Sequence, residues 1–325
     1  MATADQVRAL VKSHAEGDDK RFYSVALQVA ASAARGGQGR FAQELRDLVD
    51  TLRRESGVTS ARPTPVAQPR GELAGLLSVS YPSTRMADLV LEPTLRDRLD
   101  RVVLEQRQQD RLQEQGFRPL RRLLLVGPPG TGKTMTASAL AGELHLPLFV
   151  IRLDGLITKF MGETAAKLRL VFDALSTTRG LYLFDEVDAL GGERERTNDV
   201  GEIRRVLNSF LQFLEQDESE SVLVAATNHP QLLDRAIFRR FDAVIEYPLP
   251  TAEIAIEVVR NRLANVRLAD IAWAEVGEAS HGLSHADITL ASERAAKDAI
   301  LAGETVITTS GLVAALGERH GRSNS

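Results

Sequence analysis

The sequence has no cysteine, which excludes disulfides, thiolate metal sites and cysteine nucleophiles. No run approaches the roughly 18 apolar residues needed to span a membrane. Charges interleave with short apolar pairs near the N-terminus, so the unbroken apolar core of a signal peptide is missing too. Nor is there an excess of positive charge. Lys and Arg number 40 against 44 Asp and Glu, a net charge of −4, which argues against a generally basic nucleic-acid binder. These absences predict a cytoplasmic protein with no membrane partner. What is present is an ordinary globular composition, 43% hydrophobic and 26% charged over 325 residues. That length suits a full α/β core with a second, smaller domain.

Four zones follow from periodicity. Residues 1–55 read as a small bundle of short amphipathic helices, with Phe22, Val25, Ala26, Val29 and Ala30 on one face and Phe41, Leu45, Leu48, Val49 and Leu52 on another. Residues 56–84 read as a linker, since Pro63, Pro65 and Pro69 interrupt a stretch without periodicity. From 85 to 248 helices alternate with short apolar runs: Leu123–Val126, Leu146–Ile151, Leu181–Phe184, Val222–Ala226 and Ala243–Tyr247. Such runs suit buried parallel strands joined by right-handed crossovers. Residues 96–115 are expected to form one long helix. Pro248 and Pro250 mark the joint to a helical domain over 249–320.

Gly127-Pro128-Pro129-Gly130-Thr131-Gly132-Lys133-Thr134 fits G-x-x-x-x-G-K-[ST] in full, after an expected strand and before an expected helix. The glycines let backbone N–H groups curl around phosphate oxygens, and the helix N-terminus adds its dipole. Lys133 would neutralise the β- and γ-phosphates and the Thr134 hydroxyl would ligate Mg²⁺. Further on, an apolar strand ends in Asp185-Glu186, at the sheet edge where ligands of open α/β sheets sit. Asp185 is expected to hold Mg²⁺, and Glu186 to polarise the attacking water. The strand Val222–Ala226 runs into Thr227-Asn228, where the Asn228 amide can orient that water or touch the γ-phosphate.

In order and spacing, these segments resemble the AAA ATPases from about Arg85 to Gly317. Leu233 to Asp242 resembles the family's arginine-finger segment, with Arg239 and Arg240 adjacent as in the katanin, spastin and ESCRT-disassembly branch. Gly282-Leu283-Ser284-His285-Ala286-Asp287-Ile288 resembles the small-domain motif near the adenine and ribose, although His285 stands where the family commonly has glycine. The resemblance implies a P-loop large domain with strand order 5-1-4-3-2, a helical lid, ATP and Mg²⁺ as cofactors, and a single homo-oligomeric ring, usually of six. It implies ATP contacts from Asp88, Leu89, Pro129 to Met135, Asp185 and Ser284 to Ala286. It also implies a pore loop, Lys159-Phe160-Met161-Gly162, able to grip polypeptide. An aromatic on a glycine-hinged loop makes adaptable apolar contacts that need not read sequence.

Three functions compete. The first is an ATP-driven ring that unfolds or disassembles protein substrates. The second is a nucleotide-dependent activator of one dedicated partner, such as a separately encoded enzyme or protease. The third, a DNA-associated ATPase, finds no basic cluster, helix-turn-helix or zinc finger to support it. The chain carries no protease or nuclease motif, so any cleavage would belong to a partner.

Overall fold

The computed structural model describes residues 71–323 except 157–160, 191–199 and 305, together with Ala26, Val29, Ala30 and Gln43. The chain divides into two compact units, Met1–Pro63 and Thr64–Ser325. In the first, Ala26, Val29 and Ala30 are helical and buried. The other positions of the expected N-terminal faces lie outside the described residues.

The second unit is built on six strands: β1 (Leu77–Ser80), β2 (Arg122–Val126), β3 (Leu148–Ile151), β4 (Leu181–Phe184), β5 (Val222–Thr227) and β6 (Ala243–Glu246). Their order is β1-β3-β4-β5-β2-β6. Every pairing is parallel except β1 with β3. Counted from β2, the five parallel strands run 5-1-4-3-2. The difference from expectation is the sixth strand. Leu77–Ser80 falls within the expected linker, yet it pairs antiparallel with Leu148–Ile151. Burial of Leu76 and Leu77 in the sheet core explains this, and the Arg152 N–H donates to the Leu76 carbonyl (2.9 Å).

Every residue of β4 and β5 is buried, as expected for parallel strands covered on both faces. Alternate side chains feed two cores. On one face Leu124, Tyr182, Phe184 and Leu223 pack against Leu168, Val171 and Phe172 of α4 (Met161–Thr177) and Phe210 and Leu214 of α5 (Val200–Gln216). On the other, Leu123, Leu125, Leu183 and Val224 meet Leu99 and Val102 of α1 (Pro93–Arg107) and Ala137 and Leu140 of α3 (Lys133–Leu144). The single helix expected over 96–115 breaks at Gln108 into α1 and α2 (Gln109–Glu114). The chain then returns to β2, held by a hydrogen bond from the Gln106 side chain to the Leu120 carbonyl (2.8 Å).

A separate core holds the C-terminal helices α6 (Ala252–Arg262), α7 (Trp273–Ala279), α8 (His285–Leu301) and α9 (Thr309–Ser323). Ser284 caps α8 in a reciprocal arrangement with Asp287, satisfying N–H groups that the first turn would leave unpaired. This lid is helical but for one parallel bridge, Leu268 to Ile307.

Candidate nucleotide-binding site

Three neighbouring strands release the motif residues at one edge of the sheet. β5 lies between β2 and β4, with Val126 opposite Thr227 and Phe184 opposite Ala225. The chain therefore leaves β2 at Gly127, β4 at Asp185 and β5 at Asn228 side by side. Gly127 has φ +153°, and a Cβ there would lie 2.2 Å from the Tyr247 carbonyl oxygen. No larger residue allows the loop to leave its strand at this point.

Within the loop, the Thr131 hydroxyl donates to the Pro128 carbonyl (2.8 Å) and Thr131 is buried. Pro129, Gly130, Thr134 and Met135 face outward. Lys133, the first residue of α3, is 6% exposed, and its ammonium lies 2.7 Å from both the Gly127 and Pro128 carbonyls. Burial pulls its pKa below the ordinary lysine value, while the Asp185 and Asp188 carboxylates pull the other way. A buried cation held only by backbone carbonyls is chemically suited to exchange them for phosphate oxygens.

The Thr134 hydroxyl donates to Asp185 Oδ2 (2.7 Å), joining the two motifs at the positions expected to hold Mg²⁺. Glu186 is exposed and sits in the left-handed region at φ +53°. A non-glycine residue there is strained. Two hydrogen bonds hold it: its N–H donates to Asp185 Oδ1 (3.0 Å), and its carbonyl accepts from Ala189 (2.9 Å). Sequence reasoning missed Asp188, which accepts from the Thr227 hydroxyl (2.7 Å) and so ties β5 to the turn after β4. A third carboxylate two residues beyond Glu186 was the available signal. Asn228 follows directly and is half-buried.

The lid reaches the loop. Ala286 N–H donates to the Gly130 carbonyl (3.0 Å). Gly130 has φ +75°, and a Cβ there would come within 2.5 Å of Ser284 Oγ. Asp88 caps its own short turn, accepting from the Arg85 N–H (2.7 Å). Leu89 is buried in the sheet core and Val90 packs on the lid core, so this segment joins both. His285 is half-buried against it, and burial lowers the pKa of its imidazole despite opposing pulls from the Val90 backbone and the Glu92 carboxylate.

Arg239 and Arg240 separate in role. Both follow the helical turn Arg235–Phe238, which Asp234 caps (2.8 Å to Ala236 N–H). Arg239 is exposed, with no ion pair among the described residues. Arg240 is ion-paired to Glu215 of α5 at 2.6 Å and donates to the Ala236 carbonyl (3.3 Å). No hydrogen bond or ion pair among the described residues links either arginine to the phosphate loop. Lys159 and Phe160 lie outside the described residues. Met161 and Gly162, expected in a loop, instead open α4. Glu163 in its first turn complements the helix dipole there.

Residues 123–249 match the family described as "ATPase family associated with various cellular activities (AAA)". An uncharacterized AAA family ATPase of Sinorhizobium fredii is 31% identical over 301 residues, covering 93% of this chain and 90% of that protein. The proteasome-activating nucleotidase of Aeropyrum pernix is 33% identical over 235 residues, 70% of this chain and 57% of that protein. The ATP-dependent zinc metalloprotease FtsH of Helicobacter pylori is 31% identical over 228 residues; the match covers 67% of this chain and only 36% of the protease. Among solved structures, the FIGL-1 AAA domain superposes with a TM-score of 0.61 at 26% identity, over 79% of this chain and 91% of that one. The nucleotide-binding architecture and these relatives agree: this chain belongs to the AAA family and is an enzyme that hydrolyses ATP.

Proposed function

We propose that this ATPase works as a homo-oligomeric ring, of six subunits, that uses hydrolysis to unfold or disassemble polypeptide substrates. The observation that carries the catalytic part is the Thr134–Asp185 hydrogen bond, which gathers two motifs 51 residues apart beside Glu186 and Asn228. Thr134 and Asp185 would hold Mg²⁺, which when bound neutralises phosphate charge. Lys133 would exchange its two carbonyl contacts for phosphate oxygens. Glu186 orients the attacking water, with Asn228 beside it. Arg239 supplies a neighbouring subunit's site with the cation that the phosphate loop lacks.

Support for a polypeptide substrate comes from relatives named for proteasome activation and ATP-dependent proteolysis. The first of those names also favours a second reading, in which the ring activates one separately encoded partner without processive threading. A nucleic-acid partner and a membrane partner have no support in the charge or hydropathy, and a cytoplasmic location goes with this proposal.

Phe160 separates the two readings. In the threading reading, Phe160→Ala leaves basal ATPase near wild type but abolishes stimulation by, and remodelling of, a permanently unfolded tagged polypeptide. Intact remodelling by a stable, assembled Phe160→Ala ring would replace threading with the dedicated-activator reading.

A further inference from the structure

Two side chains beside the phosphate loop are left without partners, and together they describe a ligand. Both ring nitrogens of His285 and Oε1 of Glu92 are buried with no hydrogen-bond partner. Such atoms destabilise a fold unless something else satisfies them. They are neighbours, since the Glu92 carboxylate acts electrostatically on the His285 ring. His285 opens α8, and the next residue, Ala286, donates its N–H to the Gly130 carbonyl of the phosphate loop. Glu92 follows the segment that joins the sheet core to the lid core through Leu89 and Val90. A nucleotide with its phosphates over Gly130 to Lys133 therefore has this seam between lid and joining segment as an adjacent place for its nucleoside.

The chemistry of the two groups narrows the occupant. A carboxylate only accepts hydrogen bonds, whereas a neutral imidazole offers one donor and one acceptor. Adenine presents an exocyclic amino donor beside ring-nitrogen acceptors. A 6-oxo purine would set its carbonyl oxygen against the carboxylate and leave both acceptors unpaired.

We propose that Glu92 and His285 read the base by side chain: the Glu92 carboxylate accepts the 6-amino group of adenine, and the His285 ring bonds an adjacent purine nitrogen. This inference rests on the nucleotide-site reading above. It assigns to His285 a selectivity role that a glycine at this position could not perform.

The test is equilibrium binding of ADP, IDP, GDP and 2′-deoxy-ADP with Mg²⁺ to the full chain, in wild type, Glu92→Gln, His285→Ala and Lys133→Ala. Diphosphates keep hydrolysis out of the readout. Wild type should favour ADP over IDP by at least about tenfold, the discrimination expected when a charged acceptor loses its donor. Glu92→Gln should bring the ratio within about threefold, partly by binding IDP more tightly, because an amide can donate to the 6-oxo group. A merely destabilised protein would not gain affinity. His285→Ala should weaken ADP several-fold.

Equal wild-type affinities for ADP and IDP overturn the proposal, as does a preference that survives Glu92→Gln. Tighter binding of GDP than ADP would mean that Glu92 reads the N1–H and 2-amino edge instead. A 2′-deoxy deficit that Glu92→Gln removes, while the base preference persists, would make Glu92 a ribose reader and also overturn it. Failure of wild type to bind any of the four, or binding untouched by Lys133→Ala, would instead remove the nucleotide-site reading beneath.

Discussion

The two ends of the central strands bury charge in opposite ways. At the amino end, Arg121 and Asp217 are 7% and 1% exposed and paired, and Arg121 also donates to the Asp217 carbonyl. Arg122 donates to that same carbonyl (2.8 Å). The Asp242 carboxylate accepts from the backbone N–H of both Arg121 (3.0 Å) and Arg122 (2.9 Å). Apart from Arg122 Nε, this cluster is saturated. At the carboxyl end, a buried lysine has only two exchangeable carbonyls, Glu186 is held left-handed, and His285 and Glu92 lack partners. One end uses buried charge to fix the sheet. The other holds charge, strain and open valences in reserve for a ligand, which is the pattern expected where function is stored.

The contrast can be broken or sharpened by substitution. The largest effect should come from Arg239→Ala, which in the assembled ring should slow hydrolysis by about a thousandfold or more, the range of a missing arginine finger. Arg240→Ala removes a partly exposed pair with Glu215 and should cost no more than about 1 kcal/mol of stability, with a far smaller effect on turnover. Steady-state ATPase of both variants at matched assembly decides this; equal losses would return both arginines to one role.

Next comes Asp217→Ala, which strands the buried Arg121 guanidinium. Denaturant unfolding should show a loss of about 3–5 kcal/mol, while ATPase per folded molecule stays near wild type. A stable Asp217→Ala protein with damaged turnover would undo the division between the two ends. The smallest effect is expected from Tyr247→Phe. The buried Tyr247 hydroxyl donates to Thr136 of α3 (2.9 Å), and burial pushes the phenol's pKa well up. Losing that bond should lower stability by about 1 kcal/mol, visible as a small fall in melting temperature without altered nucleotide affinity.

Sequence made one end of the sheet far more legible than the other. The phosphate loop announces itself because backbone wrapping of phosphate demands glycines, one lysine and one hydroxyl in fixed order. Asp185-Glu186 stands out because two carboxylates seldom close an apolar strand without a task. Leu77–Ser80 was hidden: four residues after a proline-rich stretch form a strand only because Phe149 and Ile151 offer an edge to pair with. Asp188 and Glu92 were hidden because their partners come from the fold, at Thr227 and at the lid. The contact between Ala286 and Gly130 bridges segments far apart in sequence, which no local pattern encodes. Arg240 likewise read as a twin of Arg239 until Glu215 was found beside it.

Glu186→Gln is the most direct test of the catalytic claim, because it keeps side-chain size and backbone while removing the acceptor that orients water. Nucleotide affinity and single-turnover hydrolysis should be measured together on the assembled protein. We expect ATP to bind with near wild-type affinity and hydrolysis to slow by at least about a hundredfold, with an unchanged melting temperature. Turnover at the wild-type rate in Glu186→Gln would contradict the role given to this residue and to the strained turn that presents it.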